Sequence, residues 1–175
     1  MNLYLACGKD RVEGYHHVDV SPACAPDQVW DLLDFSKRWP WHDVKHILVK
    51  HFVEHIPHGD GGKDYFIRFF DRCWHILRPG GDMTVTYPWY TSIGAFSDPT
   101  HRRIITPLTF SYLSKAWLAE HKIDHYAQDC DFDIIQNVSG LAVEHEQSSP
   151  DQQGSFLRTQ WNAAHEGTVV LKARK

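Results

Sequence analysis

The chain has 175 residues, 42% hydrophobic and 23% charged, with a formal net charge of -4. That is enough for one domain with a real core but not for two, and the composition excludes extended disorder. The mild acidity gives no overall basic field for nucleic acid, which leaves a local patch as the only basis for such a role.

In chain order, Asn2–Leu5 is apolar and predicts a buried strand at once. His17–Val20 predicts a second strand, closed by Ser21-Pro22, and Gln28–Trp30 a third that ends on Asp31. Lys45–Val49 predicts a fourth, ending near His51, and Met83–Tyr87 a fifth that alternates apolar residues with threonine. Between the fourth and fifth, Lys63–Leu77 predicts a helix. Phe66, Phe69, Phe70, Cys73, Trp74 and Leu77 form one apolar stripe, and Asp64, Arg68, Asp71, Arg72 and His75 fall mostly off it. Pro79-Gly80-Gly81 should stop that helix.

After the fifth strand, Pro88–Thr106 has no periodicity, the pattern of a functional loop. Thr106 caps a helix with Pro107 in first position. Phe132–Val143 and Thr168–Ala173 predict two more strands, with "EQSSPDQQG" as a loop and "FLRTQWNAAHEG" as a helix between them. Strands alternating with helices predict a parallel α/β sheet covered on both faces. No apolar run would span a bilayer, and the start of the chain lacks a signal-peptide pattern. Cys7, Cys24, Cys73 and Cys130 form no CxxC pair. The expectation is a cytoplasmic protein with reduced thiols and no membrane partner.

The opening stretch carries the clearest functional signal. An open α/β sheet binds ligands beyond the carboxyl ends of its strands. Ala6 and Gly8 let a ligand approach the backbone, and Asp19, at the end of the next strand, can accept from both hydroxyls of a ribose. A dinucleotide fingerprint needs more glycines, a helix, and an acid placed later. The crossover Gly8–Tyr15 is too short for more than a single helical turn, so a pyrophosphate would find little helix N-terminus beneath it. A nucleoside ligand without phosphates fits better, and S-adenosylmethionine is one.

"LYLACGKDRVEGYHHVDVSP", "WDLLDF", "ILVKHFVEHI" and "ILRPGG" resemble, in order, the successive motifs of class I S-adenosylmethionine-dependent methyltransferases. "GAFSDPTHRRIITPLTFSYL" resembles a segment of small methyltransferase-like proteins of bacteria and phages. The resemblance implies a single Rossmann-like domain over 1–175. Its mostly parallel twisted sheet would have about seven strands, the last antiparallel, with helices on both faces. The match begins at residue two, so the helices that usually precede the first strand are expected to be missing, and 88–106 is expected to cover the active site.

Residue by residue, the resemblance implies that Ala6, Cys7 and Gly8 line the methionine part. Asp19 would bind the ribose, Val20 would lie beside the adenine, and Asp31 and Leu32 would contact its edge. Lys50, His51 and Phe52 would lie close to the methyl group. The product would be S-adenosylhomocysteine.

Three points stay open. Asp98 and His101, with Tyr90 nearby, suggest an acceptor site in which His101 is a general base and Asp98 orients it; a plain surface turn is the alternative. The acceptor is a small molecule or a nucleic acid, and a non-catalytic protein that binds S-adenosylmethionine is the rival. "HFVEH" matches the H-x-x-E-H string of zinc peptidases, so a zinc hydrolase using His51 and His55 is the third possibility. The string reads better as a strand end at His51 followed by a short helix from Glu54 and His55, and no third ligand is evident, so no metal is expected. The oligomeric state is not legible.

Overall fold

The computed structural model describes residues 1–59, 61–126 and 128–175. Seven strands form one sheet: β1 (Asn2–Leu5), β2 (His16–Asp19), β3 (Gln28–Val29), β4 (Val44–Lys50), β5 (Leu77–Pro88), β6 (Phe132–Leu141) and β7 (Ala164–Ala173). Their order is β3-β2-β1-β4-β5-β7-β6, with β1 to β5 parallel and β7 antiparallel to both neighbours. This is the mostly parallel seven-stranded sheet with an antiparallel last strand that the sequence predicts. Strand order reverses beside β1, which places a switch point at the carboxyl ends of β1 and β4.

The helix α1 (Tyr65–Ile76) carries the predicted stripe. Phe66, Phe69, Phe70, Cys73 and Ile76 are buried against the sheet, with Tyr87, Phe110 and Phe132 in the same cluster. Asp64 caps the helix by accepting from the Phe66 amide at 2.8 Å. Asp71, expected off the stripe, is buried. It accepts from the Asp129 and Cys130 amides at 2.9 Å and from Lys63 Nζ at 2.8 Å, so it ties the helix to the segment that enters β6. On the opposite sheet face, Tyr4, Cys7 and Leu48 form a small cluster with Val12 and Tyr15 of the first crossover.

Four local expectations are corrected. The strand β5 begins at Leu77, six residues before Met83. Pro79-Gly80-Gly81 does not separate helix from strand but forms a bulge, in which the register passes from Val44↔Leu77 to His46↔Asp82. The first crossover contains turns and no helical turn. The stretch 88–106, expected to be a loop throughout, holds the short helix α2 (Gly94–Ser97). The last helix, α4 (Pro150–Thr159), starts inside the polar run expected to be a loop and stops four residues into the segment expected to be helical, the end of which belongs to β7. The reason is local: Ser149 and Gln152 form a capping box with Pro150 at the first helical position. Thr106 and Pro107 do open a helical segment, but it is a 3-10 helix over Pro107–Leu113, followed by α3 (Lys115–Glu120). All four cysteines are free thiols, and no helix of the described residues is long and apolar enough to cross a membrane.

Gly167 of β7 faces Tyr87 of β5, and a Cβ there would lie 2.6 Å from the Tyr87 ring. The buried tyrosine depends on that missing side chain. Gly167→Ala is expected to lower stability by about 1–3 kcal/mol through overpacking, measured by urea denaturation with no change in slope.

Candidate functional site

The site lies along the carboxyl edge of the sheet. The strand β1 ends in a sharp turn, with Ala6 at φ 52° and Gly8 at φ 54°. Both are in the left-handed region, which glycine adopts freely and alanine does not. A Cβ on Gly8 would meet nothing within 4 Å, so the space above it is open. Asp19 is buried at the end of β2. Its Oδ2 accepts from the Gly8 amide at 2.8 Å and its Oδ1 from the Ser21 amide at 2.9 Å. It therefore holds the two loops together, while each oxygen keeps a lone pair.

The crossover that follows is braced on all sides. Asp10 accepts from Tyr4 Oη at 2.9 Å and from Lys50 Nζ at 3.1 Å. Lys50, helped by Tyr4, holds the Asp10 carboxyl below its usual range, and burial pushes the Tyr4 hydroxyl up. His17 Nε2 accepts from the Val12 amide at 3.0 Å while Nδ1 meets Asp27 at 2.9 Å. Arg11 donates to the Gly8 carbonyl at 3.1 Å and the Ala25 carbonyl at 2.9 Å, so it spans the crevice between the β1 and β2 loops. Sequence reading passed over Arg11, because nothing marks a lone exposed arginine as a bridge.

Beside Asp19 is a cavity of about 350 Å³ lined by Val20, Val29, Trp30, Asp31, Asp34 and Lys37. Val20 and Val29 are 61% and 52% exposed, apolar surface at the ends of adjacent strands. Asp31 lines the cavity, and its carboxylate also accepts from the Leu33 amide at 2.9 Å. The Leu32 side chain is in the core, so only its backbone is available to a ligand there. The exposed Val29 and the Trp30 indole carry no recognisable motif and were missed.

At the end of β4, His51 takes φ 48° and its amide donates to the Thr86 carbonyl at 2.9 Å. Its Nδ1 is 3.6 Å from Glu54 Oε1 and its Nε2 is 3.3 Å from Glu166 Oε2. The Glu54 carboxylate, joined by Glu166, raises the His51 pKa. Phe52 packs on Phe69 of α1 at a ring distance of 5.4 Å. Glu54 and His55 lie in a 3-10 turn, Val53–His55. His51 and His55 therefore do not share a helix face, and the H-x-x-E-H geometry of a zinc peptidase does not form.

The 88–106 segment docks on this turn. The amides of Arg102 and Arg103 donate to the Glu54 carbonyl at 2.8 and 3.2 Å. Arg103 also donates to the carbonyls of Ile56 and Pro57, both at 2.9 Å. A cavity of about 690 Å³ opens here, lined by Ala95, Phe96, Asp98, His101, Arg102 and Arg103 among others. Asp98 and His101 are thus brought together, but not as base and orienting carboxylate. His101 Nε2 is 3.9 Å from Asp98 Oδ2, too far for a hydrogen bond, and the ring is held instead by the Ala95 carbonyl, 3.0 Å from Nδ1. Asp98 is turned toward Thr100, accepting from its hydroxyl and its amide at 2.7 Å each; those bonds hold its carboxyl below the usual range. Tyr90 does not join them. It does not line this cavity, and its hydroxyl donates to the Leu157 carbonyl on α4 at 3.4 Å.

Solved structures match this architecture over nearly the whole chain. A SAM-dependent methyltransferase from Archaeoglobus fulgidus superposes with a TM-score of 0.58 at 16% identity, covering 98% of this chain and 85% of that one. The chain has the class I methyltransferase fold. An S-adenosylmethionine-dependent methyltransferase from Mesorhizobium loti gives a TM-score of 0.55 at 11% identity, covering 98% of this chain and 90% of that one. The [4+2]-cyclase SpnF shares the class I methyltransferase fold as well, with a TM-score of 0.56 at 13% identity over 99% of this chain and 74% of that one. No protein-family model and no curated protein sequence matches the chain.

Removing the Asp19 carboxylate leaves the Gly8 and Ser21 amides without their acceptor. Asp19→Ala is expected to cost about 1–3 kcal/mol, whereas Asp31→Ala, at an exposed turn, should stay within about 0.5 kcal/mol. Parallel urea titrations of the two variants would check this.

Proposed function

We propose that the protein binds S-adenosylmethionine and transfers its methyl group to an acceptor. The observation that carries this is the pairing of the open turn at Ala6–Gly8 and the buried Asp19 with the cavity whose apolar wall is Val20, Val29 and Trp30. That is a place for a sugar edge next to a place for a flat ring. The turns between β1 and β2 offer no helix N-terminus for a pyrophosphate, which favours a nucleoside without phosphates.

The fit supports specific roles. Ala6, Cys7 and Gly8 would line the amino-acid part of the cofactor. Asp19 would accept from the ribose hydroxyls with its remaining lone pairs. Val20, Val29 and Trp30 would hold the adenine, with Asp31 and the Leu32 backbone at its edge. Lys50, His51 and Phe52 would close the β4 side. When bound, the sulfonium supplies an activated methyl group; the work left to the protein is orientation and exclusion of water.

The segment 88–106 would form the acceptor side, using the cavity that Phe96, Asp98 and His101 line. Arg102, exposed beside it, is compatible with an anionic small molecule or with a nucleic acid. The free thiols support a reducing, cytoplasmic setting. A non-catalytic reading has one observation in its favour: a cyclase adopts the same fold, so the fold does not guarantee methyl transfer.

Calorimetric titration with S-adenosylmethionine is the direct test. Wild type should bind in the micromolar range, and Val29→Asp, which replaces part of the apolar wall with a charge, should weaken binding at least about tenfold. No binding to the folded wild type would overturn the reading. Binding without S-adenosylhomocysteine formation across small-molecule and RNA acceptor pools would favour the non-catalytic protein.

A further inference from the structure

Glu54 is the anomaly of the carboxyl edge. Its side chain is 2% exposed, and neither carboxylate oxygen has a hydrogen-bond donor among the described residues. A buried carboxylate is costly without a positive or hydrogen-bonding partner. His51 Nδ1, 3.6 Å away, answers part of that charge as an ion-pair partner but lies beyond hydrogen-bond range. Two further imidazoles flank it, those of His55 and His101. The ligand atoms of Glu54, His55 and His101 all fall within 4.8 Å of one another. The two rings meet edge to face with centroids 4.7 Å apart.

Their outer partners prepare both imidazoles in the same way. Thr100 Oγ1 donates its proton to Asp98 at 2.7 Å, so toward His55 Nδ1, 3.0 Å away, it can only accept. His55 then carries its proton on Nδ1 and leaves Nε2 as a lone pair. His101 Nδ1 faces the Ala95 carbonyl at 3.0 Å, which likewise demands a proton on Nδ1 and frees Nε2. A ligating histidine characteristically gives its other N–H to a carbonyl or an oxygen held by a carboxylate. The backbone holds the two halves in register, because the Arg102 and Arg103 amides bond the carbonyl of Glu54 itself.

We propose that Glu54, His55 and His101 form a binding site for a divalent transition-metal ion of the zinc class. Two imidazole nitrogens and one carboxylate oxygen are a borderline donor set that suits zinc, cobalt or iron(II) rather than magnesium or calcium. Metal bonds of about 2.1 Å at tetrahedral angles set ligand atoms about 3.4 Å apart, so from a separation of 4.8 Å or less the trio contracts by at most about 1.4 Å. Three protein ligands leave a coordination position open, and His101 also lines the 690 Å³ cavity. In this arrangement His101 is a ligand rather than a free base. The ion would neutralise Glu54 and clasp the 88–106 segment to the turn that follows β4. The proposal does not depend on S-adenosylmethionine binding.

The test is titration of the full-length protein, freed of metal by a chelator, with cobalt(II) chloride. One equivalent is expected to give visible d–d absorption of a low-coordinate site, displaced by zinc. His101→Ala should lose affinity by more than the roughly 10–100-fold that an outer partner contributes. Thr100→Val, a surface change that leaves all three ligands in place, should lose about 10–100-fold. His75→Ala, a remote and exposed histidine, should be unchanged. If His101→Ala does not fold by circular dichroism, Thr100→Val decides. Absence of a saturable cobalt spectrum, or equal loss in His75→Ala, overturns the proposal.

Discussion

The arrangement of the carboxyl edge depends on the aromatic seam between α1 and the sheet. Phe66 and Phe70 lie against Phe110, Phe70 also meets Phe132 and Phe69, and Tyr87 joins Phe110 from β5. This one helix face fixes where β4 and β5 end. Phe69 also reaches Phe52, the second residue after β4, at 5.4 Å. The position of the turn that carries Glu54 and His55 is thus set by core packing rather than by its own three residues. Interiors packed this closely do not adjust continuously, which gives the strand ends a single geometry.

From that base the chain leaves the sheet abruptly. Ala6 and His51 both take positive φ values that non-glycine residues rarely adopt. Each costs about 1–2 kcal/mol relative to a right-handed conformation. The abrupt turns open a crevice at the switch point, and short braces keep it open. Asp10 joins the crossover to Tyr4 and Lys50, and His17 bridges Asp27 and the Val12 amide. Where a helix would usually stiffen this connection, side-chain hydrogen bonds do so here.

Three buried carboxylates among the described residues organise the molecule, and they differ in what answers their charge. Asp19 has two amides, and Asp71 has two amides and a lysine. Both are closed structural junctions. Glu54 is buried as deeply as either, yet it has no hydrogen-bond donor among the described residues, and its neighbours are the imidazoles of His51, His55 and His101. Satisfied anions hold loops together; an anion left without donors beside two oriented histidines is arranged to receive a cation.

Much of this was legible in the linear chain. Short apolar runs between turn residues predict the five parallel strands, because such strands are buried on both faces, and a period-3.6 stripe predicts α1, because one face of that helix is buried. The pairing of Gly8 with Asp19 was legible because both lie within one strand-turn-strand unit. The last helix was misplaced because its capping signal at Ser149 lies in a polar run that composition alone reads as loop. The Glu54, His55 and His101 cluster was not legible. Its third member is separated from the other two by α1 and all of β5, and backbone bonds from Arg102 and Arg103 to Glu54 bring it into place. Local pattern determined the elements and the edge on which a ligand would sit. Long-range packing decided which charges would be buried together, because no sequence period records the distance between two loops.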